Sequence, residues 1–150
     1  MKTKQLSFIL GILIVVLSAA SAAAHCEIPC GIYDDQLRAD LIAEHLTTIE
    51  KSMKSIEELS KQNPLNYNQL IRWVSNKEKH ADEIQYIVTQ YFMTQRIKPD
   101  AQKYSEKLAV LHKMLIYAMQ CKQTTDVSNV DTLRSLLKEF ELLYFGHTHK

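Results

Sequence analysis

The stretch DDQLRADLIAEHLTTIEKSMKSIEELSKQ, residues 34–62, decides the fold. Its apolar residues Ile42, Leu46, Ile49, Met53 and Ile56 advance in steps of four and three, the repeat that gathers side chains on one face of an α-helix. Glu50, Lys51, Lys54, Glu57 and Glu58 fall between them, so one stripe is bound for a core and the other for water. Asp34 or Asp35 opens the run, an acid where the unpaired amides of a helix start need an acceptor. Gln62-Asn63-Pro64 closes it, because the residue before a proline is pushed out of the helical region.

Three further runs follow the same rule. From about Asn66 to Arg96, an apolar stripe takes in Leu70, Trp73 or Val74, Ala81, Ile84, Val88 and Tyr91, and Lys98-Pro99-Asp100 stops it. Tyr104, Leu108, Leu111, Leu115 and Ala118 carry the third run up to Gln123-Thr124-Thr125-Asp126. The fourth holds Val130, Leu133, Leu136, Leu137, Phe140, Leu143 and Tyr144, with Gly146 placed to cap its end. Only three Gly and three Pro interrupt the chain, so long helices with short connections are expected. The predicted fold is all-α, an antiparallel up-down-up-down four-helix bundle. Met53, Trp73, Tyr91, Tyr104, Met114 and Phe140 read as packing residues of that core, and Cys121 as a buried structural thiol. His45 and His112 read as residues at helix surfaces or boundaries. His147 and His149 belong to a fraying tail.

Ahead of the bundle, Lys2 and Lys4 precede an apolar run from Leu6 to Leu17 and a small-residue stretch ending in Ala22-Ala23-Ala24. These are the three parts of a secretory signal peptide, and the run is short of the ~20 residues of a membrane span. The chain therefore divides into a cleaved signal over 1–24, a hook over 25–33 and a bundle over 34–150. The mature protein is expected to be exported, to periplasm or extracellular space, with no stable membrane association. Removal of Lys2 and Lys4 from 18 basic residues leaves 16 against 17 acidic ones, a balance that gives no support for nucleic-acid binding.

Cleavage after Ala24 makes His25 a free amino terminus, and the first nine mature residues are His-Cys-Glu-Ile-Pro-Cys-Gly-Ile-Tyr. An α-amine, the Cys26 amide nitrogen, the Cys26 thiolate and an imidazole then lie within a few bonds of one another, and Cys30 adds a second thiolate. Soft sulfur and nitrogen donors in tetragonal arrangement suit nickel or copper. Structural zinc is disfavoured, since it wants four side-chain ligands in a tetrahedron. Glu27-Ile28-Pro29 must turn the chain back so that Cys30 closes the plane. Pro29 restricts that turn and raises the chance of a cis peptide at Ile28-Pro29, while Gly31 permits a backbone angle closed to other residues. Three readings of such a hook differ in class: a redox metalloenzyme, a non-catalytic protein capturing copper or nickel, and a helical interaction module in which Cys26 and Cys30 form a disulfide, which compartment alone favours.

A terminal His-Cys-x-x-Pro-Cys-Gly-x-Tyr resembles the nickel-binding hook of the nickel superoxide dismutases. The resemblance implies dismutation of superoxide at one nickel ion per subunit. The His25 α-amine, the Cys26 amide and the Cys26 and Cys30 thiolates would form the plane, with the His25 imidazole as axial ligand of the oxidised metal. It also implies that Tyr33 stands near the open axial face, where its phenol bonds small anions or waters, and that the subunits form a homohexamer. The family sets an acid early in its first helix and an arginine in its second around that imidazole. By resemblance those places fall to Asp40, with Glu44 as an alternative, and to His80, which stands where the arginine is expected in Lys77-Glu78-Lys79-His80-Ala81.

Overall fold

The computed structural model describes Ile28, Pro29 and residues 31–147. Four helices make up the bundle: α1 (Asp35–Leu59), α2 (Tyr67–Tyr86), α3 (Tyr104–Gln123) and α4 (Ser128–Tyr144). The Asp34 carboxylate caps α1 by accepting from the Leu37 amide at 3.0 Å. Asn66 caps α2 in the same way through the Gln69 amide at 3.2 Å. Each cap satisfies an amide that the helix itself leaves unpaired. After Phe145, Gly146 turns the chain at φ +81°, ending α4 as its sequence position suggested.

Neighbouring helices run antiparallel. Asp35 at the start of α1 meets Tyr144 at the end of α4, and Glu57 near the end of α1 accepts from Thr125 just before α4. α1 packs most extensively on α2 and α3 on α4, while α2 with α3 and α1 with α4 close the ring. Ile42, Leu46, Ile49 and Met53 of the α1 stripe are fully buried, as are Ala81, Ile84, Leu111, Met114, Val130, Leu133 and Phe140. Trp73 is only partly buried and Val74 is exposed. Lys77 takes the inward place at that level. Its Nζ donates to the carbonyls of Cys121, at 2.7 Å, and Lys122, closing off the last turn of α3.

One element departs from the sequence reading. α2 continues as a π-helix over Ile87–Arg96, where the pattern of apolar residues suggests unbroken α-helix. The wider winding shows in bonds that span five residues: Thr94 Oγ1 donates to the Thr89 carbonyl at 2.7 Å, and the Ile97 amide to the Phe92 carbonyl at 2.8 Å. At roughly 4.4 residues per turn, side chains five apart lie within about 50° of each other, against about 140° in an α-helix. Tyr91 and Arg96 are five apart, and this winding lets both reach the start of α1.

Among the described residues of the amino-terminal unit, the Ile28-Pro29 peptide is cis and Gly31 has φ +76°. A Cβ on Gly31 would meet nothing within 4 Å, so its backbone angle and not its space calls for glycine. His25, Cys26 and Cys30 lie outside the described residues.

Candidate metal-centre surroundings at the base of the hook

Tyr33 is the last residue of the hook and the first polar contact of the bundle. The Arg96 guanidinium lies over its ring, 4.2 Å from the centroid, and the Tyr91 ring meets it edge-on at 6.0 Å. Arg96 is itself held by Asp35, with Nε to Oδ1 at 2.8 Å and Nη2 to Oδ2 at 2.7 Å. That two-pronged pairing fixes the plane of the guanidinium as well as its position. Asp35 takes two more donors: the Tyr91 hydroxyl on Oδ1 at 2.5 Å and the Tyr144 hydroxyl on Oδ2 at 2.8 Å. One carboxylate thus joins the start of α1, the π segment and the end of α4. Phe92, Phe140 and Tyr144 pack beneath it with centroid separations of 4.8, 5.6 and 5.2 Å.

The electrostatics follow from those four bonds. Burial pushes the Asp35 carboxyl up, but the hydrogen bonds from Arg96, Tyr91 and Tyr144 outweigh it and hold the group below its ordinary range. The Tyr144 phenol is pushed up to about 12, first by burial and then by its bond to Asp35. Tyr91 is driven higher by the same two causes. Both phenols therefore stay protonated as donors, and the network keeps one fixed arrangement of protons at neutral pH.

The other residues singled out by the sequence lie elsewhere. His80 Nδ1 faces His45 Nδ1 at 2.8 Å, a contact between α1 and α2. His45 is ten residues beyond Asp35, about 15 Å along the helix. Burial lowers the His45 pKa, the His80 ring lowers it further, and Glu83 and Glu44 partly offset both. Asp40 is exposed and accepts from the Gln36 amide at 2.9 Å; it borders a groove between α1 and α4 with Arg134 and Glu141. Neither His80 nor Asp40 has a hydrogen bond, ion pair or ring contact with Tyr33 among the described residues. Asp40 and His80 are expected around the His25 imidazole, which lies outside the described residues; the acid and the arginine that meet beside Tyr33 are Asp35 and Arg96. Sequence reading assigned Tyr91 to the core, Asp35 to the helix start and Arg96 to the end of a run, with no site role for any of the three. A detectable signal was the pairing of an acid at a helix start with an arginine at a helix end, which antiparallel neighbours bring together.

Cys121 is fully buried, as expected, and burial pushes its thiol up to about 11. At neutral pH it is a protonated core residue with no thiolate to offer a metal. Among the described residues no group of three or more His, Cys, Asp or Glu is arranged to hold a metal ion.

An all-helical bundle preceded by two thiols and a histidine that can chelate together defines a helical-bundle redox metalloprotein. A family model described as nickel-containing superoxide dismutase matches residues 20–148, and the chain belongs to that family. It is an oxidoreductase that uses nickel to convert superoxide to oxygen and hydrogen peroxide. No curated protein and no solved structure matches it.

Proposed function

We propose that residues 1–24 are removed on export and that His25, as the new amino terminus, completes the nickel site. The holding groups in this reading are the His25 α-amine and imidazole, the Cys26 amide nitrogen and thiolate, and the Cys30 thiolate. What carries it is that the family match spans the whole nonapeptide as well as the bundle. The chemistry of the donors agrees: thiolates and an ionised amide are strong enough to bring a one-electron couple of nickel into the range that superoxide can both reduce and oxidise. Oxygen donors at the same places are too hard to do so.

The remaining work falls to the chain. Pro29 and Gly31 shape the turn that returns Cys30 to the amino terminus. Tyr33 follows Cys30 by three residues, at most about 11 Å of chain. Seated between Arg96 and Tyr91, it presents a phenol that donates a hydrogen bond to the anionic substrate. Asp35 and Arg96 are positioning residues, acting through Tyr33. The resemblance to the family supports a homohexamer, and the signal-peptide pattern of residues 1–24 supports its export to the periplasm or outside the cell.

Three measurements test the reading together: the amino-terminal residue of the exported protein, its nickel content and its superoxide turnover. An extra Ala before His25 turns the α-amine into an amide and removes a donor, so turnover is expected to vanish with the fold intact. Cys26→Ser or Cys30→Ser is expected to abolish nickel-dependent turnover, while Cys121→Ser keeps it. A stably extended protein that loads nickel and turns over normally would show the ligand scheme to be wrong.

A further inference from the structure

We propose that Arg38 recruits the small anionic substrate to the Tyr33–Tyr91 face. This rests on the reading that the nickel site adjoins Tyr33. Two arginines reach that face, and their charges are disposed of differently. Arg96 is neutralised by both oxygens of Asp35. Arg38 lies with its guanidinium carbon 5.2 Å from the centroid of the Tyr91 ring and makes no ion pair among the described residues. Its Nε is buried and has no hydrogen-bond partner among the described residues.

A buried donor without an acceptor is uncommon, because the lost hydration is not repaid. The carboxylates next to Arg38 in sequence are all engaged elsewhere. Asp34 caps α1, Asp40 accepts from Gln36, and the four donors on Asp35 leave it no free position. Asp35, Arg96 and Arg38 therefore sum to one uncompensated positive charge at the tyrosine pair. The electron-rich face of Tyr91 holds the guanidinium in place without cancelling that charge. A single fixed cation beside the exposed Tyr33 ring attracts a monoanion such as superoxide and makes no ion pair of its own among the described residues. The contribution is to encounter, not to chemistry, and so it depends on ionic strength.

Two experiments on the full processed chain test the assignment. In the nickel-loaded enzyme, Arg38→Gln is expected to lower kcat/KM about fivefold at low salt, with the gap closing as salt rises towards about 0.5 M. kcat should be unchanged, and Arg38→Lys should recover most of the loss. In the nickel-free protein, excess line width of the chloride-35 resonance reports anion binding without any turnover. Arg38→Gln should remove at least half of the site-specific broadening and Arg38→Lys should retain it. Chloride broadening identical in wild type and Arg38→Gln would overturn the proposal whatever the activity. A loss of kcat/KM equal at every salt concentration, with a lowered Tm, would also overturn it by making Arg38 a packing residue only. Failure of the nickel-site reading would show separately, as absent turnover in the wild type with the chloride result intact.

Discussion

Two of the polar contacts that tie α1 to the second helix and its continuation are built in opposite ways. At the base of the hook, Asp35 gathers four donor groups from two elements, the π segment and α4, and every one of those donors is an ion or a phenol kept protonated. Ten residues further along α1, His45 and His80 meet as a pair of imidazoles with their Nδ1 atoms 2.8 Å apart. The first contact is insensitive to pH near neutrality because all its members titrate far away. The second includes His45, whose pKa is lowered by burial and by the facing His80 ring.

The sharpest way to break this contrast is Asp35→Asn. It leaves Arg96 without its counter-charge and turns an acceptor of four bonds into a poorer one, for an expected loss of about 2–3 kcal/mol at pH 7. Asp35 has a folded pKa below its unfolded one, so its stabilisation is complete above the unfolded value of about 3.9 and is lost as pH falls through the folded value. Urea unfolding of the nickel-free protein from pH 7 down to 3 should show the gap between wild type and variant closing below about pH 4. A gap that stays constant would mean that the carboxylate's charge plays no part.

Tyr91→Phe and Tyr144→Phe each remove one bond to that carboxylate while keeping the ring. Each should cost about 1–2 kcal/mol, and the pair should cost less or more than the sum, since both act on one acceptor. Strict additivity in the double variant would show two independent contacts instead of a network.

Smallest is the effect at the imidazole pair. The folded pKa of His45 is lowered, so the unfolded chain takes up a proton first and stability falls as pH drops below about 6.5, by up to about 1 kcal/mol near pH 5.5. Glu83 and Glu44 moderate the loss. His45→Gln should flatten stability between pH 7.5 and 5.5 relative to wild type; an unchanged slope would assign the acid sensitivity to other groups.

Helix existence and extent were legible because both rest on local facts. The Asp34 and Asn66 caps, the breaks at Pro64 and Pro99 and the four-three stripes depend on residues within a turn or two. Lys77 escaped that reading. A lysine on an inward position looks misplaced until α3 brings the carbonyls of Cys121 and Lys122 to its ammonium from over forty residues away. The π winding escaped for a related reason. Its five-residue bonds carry no sequence signature of their own, and they are favoured here by what they let Tyr91 and Arg96 reach. Cys121 was readable as a core thiol, since an isolated cysteine on an apolar stripe needs no partner to be placed.

By itself the sequence supplies the donor set proposed for the hook, because His25, Cys26 and Cys30 are close along the chain and their chelating chemistry is a matter of bonded atoms. It likewise determined the number, direction and faces of the helices, because hydrophobic periodicity and capping are short-range. The tertiary structure alone decided which charges meet at Tyr33. Asp35, Tyr91, Arg96 and Tyr144 span more than a hundred residues, and their pKa values, their orientation and the uncompensated charge of Arg38 exist only once antiparallel packing has desolvated them together.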